Sequence, residues 1–589
     1  MADLFEVEAI RGKFESLISQ MRFVLFRSAY SSLMRESRDC SFAILSPEGE
    51  SPFPAPRCFT TTGRRVRSVF PLEEIRDGDM FIGNNPYQMG MQHLPDILVM
   101  SPVFYEGQLV AFSASMAHKM DIGGAVPGSI YSGASEMFQE GLVLPLMKYY
   151  DRGRLITQID EMIRFNVRNP DVVLGDLGAQ VGATLRAVAE TKAIVAKYGA
   201  ETVLGAFEEL LAIPQRRASK IIETWPGKVA EAEAWLDPPP NHDKPVRLHV
   251  RVTRQEGHLT FDFSGSDPQV RSTVNVVTPY VLGTLLECLS GMVDPIIPDN
   301  AGLARACTVT AKEGTVMSPV PPAPTGNTTM VNPRLAELIV SALATLKGQG
   351  PVAERGGHGT TAFGWRTGLV TGRTYVQYEI QNGAGVGASS LEDGFSSCNP
   401  HSYAIDRQTL DTRGTLDAPI EILESGYPVL VKRFELIPDS GGPGKFRGGA
   451  ARRKVYEAKA SATFNVRHSA GFVLPPQGVA GGKPGRKGRV VINEGKPDEF
   501  ELESWWHESV RPGDTVAFEA AGGGGAGDPF HRDPQRVLSD VLDGLVSVEG
   551  ALGDYGVALA NTNGRLSVDG NETKRLRSSP RPRLTQAPR

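Results

Sequence analysis

Two apolar, β-prone runs joined by a tight-turn dipeptide constrain the fold of this chain most. Residues 97–104 (ILVMSPVF) and 108–117 (QLVAFSASMA) are rich in β-branched, aromatic and small apolar residues, and Glu106 and Gly107 lie between them. This pattern is typical of two antiparallel strands closed by a two-residue turn. The sequence therefore predicts a β-hairpin over residues 97–117.

The predicted hairpin gathers side chains suited to metal binding or acid–base chemistry at its open end. With a two-residue turn, positions whose numbers sum to about 213 face each other across the ladder. Asp96 is then predicted to lie opposite Ala117, and Pro95 opposite His118. Two His-x-x-Asp pairs meet at this end: His93, Asp96, His118 and Asp121.

A mixed set of imidazoles and carboxylates without cysteine favours a catalytic site for Zn, Mn or Fe over a structural metal site. Asp39, in a preceding segment, is a possible further ligand. A single His-x-x-Asp pair also arises by chance, and it is then an ordinary set of turn hydrogen bonds. The spacing alone leaves the metal site and the turn as equal alternatives.

Length and composition restrict the class of protein. At roughly 100–200 residues per domain, 589 residues predict two to four domains. A net charge of -5 gives no electrostatic basis for binding nucleic acid or an anionic membrane. The five cysteines form no CxxC pair, which indicates reduced thiols. Without a signal-peptide pattern or a run of about 18 apolar residues, a soluble, cytoplasmic protein is expected.

Hydrophobic periodicity predicts an α+β, multi-domain mixed fold with an N-terminal helix, the hairpin region, a helical middle and a β-rich C-terminal domain. Residues 4–33 are predicted to form a helix or helix pair, two later helices divide near Gly199, and a second hairpin turns at Glu256 and Gly257. Further helices are predicted at 280–292, 335–346 and 533–550. The predicted units are an N-terminal α+β region with the metal site, a mixed α/β region, a β-rich domain with a terminal helix, and a disordered basic tail: 1–235, 236–347, 348–570 and 571–589.

Three glycine-dense runs, at 439–449, 478–488 and 520–529, fit neither G-x-x-x-x-G-K-[ST] nor a G-x-G-x-x-G placed between a strand and a helix. They are predicted to form tight turns, some lining a cleft, and any ATP that the chemistry uses is predicted to bind to another chain. Four histidines in glycine-rich or polar segments are predicted to lie at the surface or in turns: His358, His401, His468 and His507.

The run at 84–129 resembles the NDPY…HLPD…TPVF…G…AHxxDIGG…PGS pattern of the hydantoinase B/oxoprolinase family. Two departures from that pattern are present: Asn85 stands where the family usually has Asp, and QMGMQH replaces a shorter RGGTH-type stretch. Further segments agree in family order along nearly the whole chain except the basic tail: FQEGLVLPLMKYY, APIEILESGYPVLVKRFELIPDSGGPGKFRGG, GGKPG and GGGGAGDPFHRDPQRVLSDVLDGLVS.

The resemblance implies a site as well as a fold. It implies a divalent metal, Zn, Mn or Fe, held by Asp39, His93, Asp96 and His118. Asp121 becomes a neighbour of the ligands, and Asp121 and His118 are the predicted catalytic acid–base residues. The loop that precedes His93 is where substrate preference is expected to differ from that of hydantoin-cleaving members.

The resemblance also implies a reaction and a partner. The chain is expected to be the metal-dependent hydrolytic subunit of an ATP-dependent hydrolase that cleaves C–N bonds of cyclic amides such as hydantoins, lactams or 5-oxoproline. A hydantoinase A-like ATPase subunit would phosphorylate the substrate carbonyl. The alternatives are a subunit of an ATP-dependent ketone carboxylase of the acetone or acetophenone type, and a non-catalytic scaffold for the ATPase.

Overall fold

The first part of the chain is built on one antiparallel sheet. The computed structural model describes residues 3–55, 59–357, 359–366, 374–397, 417–468, 470–502 and 507–578. The elements of the first part are α1 (Leu4–Ser28), α2 (Ser32–Arg35), β1 (Cys40–Leu45), α3 (Phe59–Val69), β2 (Met80–Gly83), α4 (Pro86–Met89), β3 (Asp96–Tyr105), β4 (Gln108–His118), β5 (Met147–Asp151), β6 (Arg154–Leu155), α5 (Thr157–Asn166), α6 (Pro170–Tyr198) and α7 (Ala200–Glu223). The strands form a six-stranded sheet in the order β1-β4-β3-β2-β5-β6.

The predicted hairpin is present as β3 and β4, but its register differs from the prediction at the open end. Glu106 and Gly107 have φ of 48° and 83°, as a type I′ turn requires. A β-bulge on β4 then leaves Val110 without a cross-strand partner. This extra residue shifts the pairing by one, so Asp96 faces His118 and not Ala117 as predicted.

Both faces of the hairpin are buried, which explains why its two strands are apolar almost throughout. Leu98 and Met100 pack towards α3 on one face, and Ile97 and Val99 pack towards α5 and α6 on the other. Helix α6 is long and apolar enough to cross a membrane by length and composition, although the sequence predicted no such segment. Half of its apolar window is buried within the protein, as expected for a core helix.

The middle part contains a second sheet packed against two helices. Its elements are β7 (Val229–Leu236), β8 (Val246–Gln255), β9 (His258–Asp262), α8 (Thr278–Val293), α9 (Ala301–Ala304), β10 (Cys307–Thr310) and α10 (Thr328–Leu346). The strand order is β10-β9-β8-β7. Strand β7 pairs with β8 along its whole length, so the predicted boundary after residue 235 separates a strand from its own sheet. The pairing partner of β7 lies downstream, where a local pattern cannot indicate it.

The C-terminal part is rich in strands, as predicted. Its elements are β11 (Gly359–Arg366), β12 (Thr374–Asn382), α11 (Ile420–Gly426), β13 (Val429–Leu436), β14 (Arg452–Ala458), β15 (Ala462–His468), β16 (Arg489–Ile492), β17 (Phe500–Leu502), β18 (His507–Val510), β19 (Thr515–Glu519), α12 (Pro534–Leu542), α13 (Val548–Tyr555), β20 (Leu559–Thr562), β21 (Arg565–Val568) and α14 (Gly570–Ser578). The strands form sheets in the orders β12-β11-β15-β18 and β13-β14-β19-β16-β17, and β20 pairs with β21.

The outcomes for the remaining predicted elements are mixed. The predicted N-terminal helix pair is α1 and α2, and α6 and α7 divide at Gly199 as expected. The single helix predicted at 533–550 is two helices, α12 and α13. Helix α14 occupies the first residues of the predicted disordered tail, where the Arg577 guanidinium donates to the carbonyls of Tyr555 and Arg532. Residues 579–589 of that tail lie outside the described residues.

The glycine run at 520–529 is not the tight turn that was predicted. Between Gly522 and Ala526 its backbone lies among neighbouring segments, and the hydrogen-bonding direction repeats every third residue, as in polyproline II-type helices. Successive amides donate to three different segments: Gly522 and Gly525 to the carbonyls of Arg486 and Lys483, Gly523 and Ala526 to those of Gly449 and Phe446, and Gly524 to that of Glu354. Glycine is required because neighbouring backbones occupy the space of a Cβ atom.

Replacing Gly523 by Ala should destabilise the C-terminal part by about 3 kcal/mol or more, because the new Cβ would lie 2.0 Å from the Val386 carbonyl oxygen. The matched control is Gly553→Ala in α13, where nothing lies within 4 Å. That change should be neutral or stabilising by about 0.5–1 kcal/mol, since alanine is the better helix former. Urea denaturation measures the free energy of unfolding of both variants. Equal stability of the two would contradict the close backbone packing around Gly523.

Candidate metal centre

Four of the predicted residues meet at the open end of the hairpin. Asp96 is the first residue of β3 and His118 is the last residue of β4. His93 lies in the loop that leads from α4 into β3, and Asp39 directly precedes β1. The backbone N–H of His118 donates to the Asp39 carbonyl at 3.1 Å, which joins the Asp39 segment to the hairpin.

The donor atoms converge on one point. His93 Nε2 lies 3.1 Å from His118 Nδ1 and 3.3 Å from Asp96 Oδ2, and His118 Nδ1 lies 3.2 Å from Asp96 Oδ1. Ligand atoms that share a metal with bonds near 2.1 Å stand about 3 Å apart, so these spacings fit a divalent cation. Asp39 Oδ2 is 3.8 Å from His118 Nδ1 and so lies beside the three converging donors.

A carbonyl from the middle part of the chain sets the tautomer of His93. His93 Nδ1 lies 3.2 Å from the carbonyl oxygen of Gly326, which can only accept a hydrogen bond. Nδ1 therefore carries the proton and Nε2 presents its lone pair to the centre. The buried carboxylate of Glu140 accepts from the backbone N–H groups of Thr325 and Gly326 at 3.2 and 2.7 Å, and so holds this carbonyl in place.

Burial and mutual charge shift the protonation equilibria of the centre. Burial, reinforced by the charge of Asp96, raises the pKa of Asp39 to about 7. Burial lowers the pKa of His118 to about 4, so its imidazole is neutral at neutral pH, as a metal ligand must be. Burial alone would raise the pKa of Asp96, but the adjacent imidazoles of His93 and His118 outweigh it and lower that pKa.

Asp121 lies in a different environment from the three converging residues and Asp39. Its carboxylate accepts from the backbone N–H groups of Gly123, Gly128 and Arg168 at 2.9, 3.0 and 3.2 Å. It also accepts from Arg168 Nη1 at 2.9 Å. Because both oxygens are engaged and the side chain is buried, these contacts favour a role in shaping the 121–128 loop over the predicted proton transfer.

Sequence reasoning missed several residues around the centre. Glu140 lies in the FQEG segment, and no local pattern connects it with residues 325–326. Arg467 in β15 is buried, and its positive charge opposes protonation of both His93 and His118, although the charge of Asp96 still raises the pKa of His93. Asn465, on the same strand, donates to the Ile130 carbonyl at 3.0 Å. Strand β15 of the C-terminal part thus lies against the loop that follows the centre.

The other histidines singled out from the sequence lie elsewhere. His468 was predicted at the surface, but it is buried and stacks on Phe472 with ring centroids 3.6 Å apart. Burial lowers its pKa to about 3. The glycine-rich surroundings suggested a turn, whereas His468 ends strand β15. His358, His401 and the side chain of His507 lie outside the described residues.

Comparison with known proteins decides the family. The model of the hydantoinase B/oxoprolinase family matches residues 3–529. The chain belongs to this family. It is 31% identical over 600 residues to a putative D-/L-hydantoinase B-type subunit of Pseudomonas sp. (strain NS671), covering 98% of each chain. The centre therefore occurs in a protein related to named hydantoinase subunits.

Solved structures extend the likeness to the whole fold. The crystal structure of the ATP-dependent caprolactamase from Pseudomonas jessenii matches with a TM-score of 0.88 and 26% identity, over 98% of this chain and 100% of that one. Nucleotide-free acetone carboxylase matches with a TM-score of 0.84, over 98% of this chain and 82% of that one. At 18% identity the second likeness shows a shared fold. The predicted multi-domain mixed fold is confirmed.

Replacing Asp96 by Asn or His118 by Ala should weaken binding of Zn²⁺ or Mn²⁺ by more than about 100-fold, because each change removes a converging donor. Wild type should retain about one cation per chain after gel filtration, measured by elemental analysis. His258→Ala is the control, since His258 is partly exposed and its ring contacts Thr308 in the middle part of the chain. Equal metal content in all four proteins would contradict the assignment.

Replacing Asp121 by Ala should lower the free energy of unfolding by about 3 kcal/mol, because it removes the charged partner of Arg168 and the acceptor of three backbone N–H groups. The control is Asp77→Ala, which breaks the exposed pair with Lys192 and should cost under about 1 kcal/mol. Chemical denaturation measures both. Unchanged stability together with lost activity would restore Asp121 to the predicted proton-transfer role.

Proposed function

We propose that this chain is the metal-dependent hydrolytic subunit of an ATP-dependent cyclic-amide hydrolase, acting on a carbonyl that a hydantoinase A-like ATPase subunit has phosphorylated. The observation that carries the proposal is the convergence of His93, Asp96 and His118, with Asp39 beside them, in a relative of a hydantoinase and of caprolactamase. The sequence contains no Walker-type loop, which supports ATP use by a partner chain. Such a complex would work in the cytoplasm.

The chemistry of the substrate explains the need for two subunits. An amide carbon is a poor electrophile, and phosphorylation of its oxygen gives an imidate with a good leaving group. A divalent cation at the centre supplies Lewis acidity and lowers the pKa of water in its coordination sphere. The two imidazoles bind it as neutral donors, and Asp39 and Asp96 balance its charge.

The residues around the centre prepare it for this reaction. Gly326 keeps the proton of His93 on Nδ1, so Nε2 stays available without a change of tautomer. Glu140 holds that carbonyl through two backbone N–H groups, and because it is buried it fixes the ring with little freedom. The charge of Arg467 favours an anionic group at the centre.

A ketone carboxylase subunit is the second candidate, favoured by the fold shared with acetone carboxylase. It ranks lower because the higher identity is to a hydantoinase subunit. The two functions differ in their products, since hydrolysis opens a ring and carboxylation forms a C–C bond from bicarbonate.

Purified complex of this chain with its ATPase subunit should open the ring of at least one compound in a panel of hydantoins, lactams and 5-oxoproline when ATP is supplied. His93→Ala should lower the rate by at least about 100-fold, because removing a ligand removes the Lewis acid. His258→Ala should act like wild type. Chromatography of ring-opened product measures the rate. Full turnover by metal-free His93→Ala would refute the hydrolytic role, and bicarbonate-dependent carboxylation would favour the second candidate.

A further inference from the structure

The metal centre is buried, and Asp39 and Gln92 are more exposed than the side chains beside them. The side chains of His93, Asp96 and His118 are 3%, 1% and 2% exposed, whereas Asp39 is 16% exposed. Gln92 is also partly exposed, and its Nε2 lies 3.3 Å from His93 Nε2, the nitrogen that faces the centre. The amide of Gln92 therefore lies beside the centre and is partly open to solvent.

A buried chain of hydrogen bonds orients that amide. The Thr284 hydroxyl donates to Asn332 Oδ1 at 2.5 Å, and Asn332 Nδ2 donates to the Tyr280 hydroxyl at 3.1 Å. The Tyr280 hydroxyl in turn donates to Gln92 Oε1 at 2.7 Å. The carbonyl side of Gln92 thus faces α8 and α10, and its NH2 group faces the centre.

The opposite orientation of the amide is unfavourable. Turning Gln92 over would place its oxygen against the lone pair of His93 Nε2, because the Gly326 carbonyl keeps the proton of His93 on Nδ1. It would also turn an NH2 group towards the Tyr280 hydroxyl, which already accepts from Asn332. Both contacts select the same orientation, and the hydrogen bond from Tyr280 does not depend on the lone pair of His93.

We propose that Gln92 is a ligand-binding residue that donates an amide N–H to an anionic oxygen, of the phosphoryl class, on the ligand at the centre. The inference rests on the proposed function, which supplies a phosphorylated substrate. With His93 Nε2 holding a cation, the Gln92 N–H would donate to another acceptor, while Tyr280 still holds the carbonyl oxygen of Gln92. A charge-assisted hydrogen bond of this kind is stronger than a neutral one. Gln92 also lies in QMGMQH, where the sequence departs from its family.

The test measures binding of inorganic phosphate to the Mn²⁺-loaded protein by broadening of the phosphorus resonance, together with Mn²⁺ affinity by electron paramagnetic resonance. Gln92→Glu keeps an acceptor for Tyr280 but replaces the donor by a charged oxygen. It should bind phosphate at least about tenfold more weakly while Mn²⁺ affinity stays equal or rises. Gln92→Leu should lose about tenfold in phosphate affinity with unchanged Mn²⁺ affinity.

The control is Gln88→Glu, which adds the same charge at an exposed position in α4 and should change phosphate affinity less than twofold. Tyr280→Phe removes the hydrogen bond that holds the Gln92 amide, so the amide can turn over. This variant should bind phosphate about threefold more weakly. Phosphate affinity within twofold of wild type in both Gln92 variants would overturn the inference. Loss of Mn²⁺ from Gln92→Leu would also overturn it, and so would the absence of phosphate binding by wild type. Because this readout needs no turnover, a complex that opens no ring refutes the proposed function while the phosphate result still decides the role of Gln92.

Discussion

The register of the β3–β4 hairpin at its open end is the constraint on which the metal centre depends. The bulge at Val110 makes Asp96 and His118 direct cross-strand neighbours. A slip of one residue would turn the side chains at this end to opposite faces of the sheet and separate the two donors. Helices cover both faces of the hairpin, so packing along the strands holds the register. The packing of the core therefore fixes the relative positions of Asp96 and His118.

The second layer of the site comes from distant parts of the chain. Gly326 and Tyr280 in the middle part orient His93 and Gln92, and Glu140 secures the Gly326 carbonyl. Strand β15 adds the charge of Arg467 from the C-terminal part. Within the C-terminal part, the glycine run at 520–529 packs against neighbouring backbones, which occupy the space that side chains would need. The hairpin thus supplies donors, and the other parts of the chain decide their proton positions and their charge environment.

Local sequence patterns predicted the elements that need only local information. The hairpin, the helix division at Gly199 and the strand-rich C-terminal part follow from periodicity and turn residues, and all are present. The patterns failed where partners are distant. Strand β7 belongs to a sheet formed downstream, and His468 is buried and stacks on Phe472. The amides of the run at 520–529 donate to several distant segments. Each failure concerns a contact between segments, which residue spacing does not record.

The sequence by itself determined which residues can serve at the centre and that the hairpin brings most of them to one end. Asp39, His93, Asp96 and His118 were identifiable from residue type, the predicted turn and the family resemblance. Only the tertiary structure decided the register at Asp96, the engagement of Asp121 by Arg168, and the direction in which Gln92 points. The physical reason is separation: Gln92 meets Tyr280 across 188 residues and His93 meets Gly326 across 233. The directions in which the Gln92 amide and the His93 ring donate hydrogen bonds are set only when these distant segments pack together.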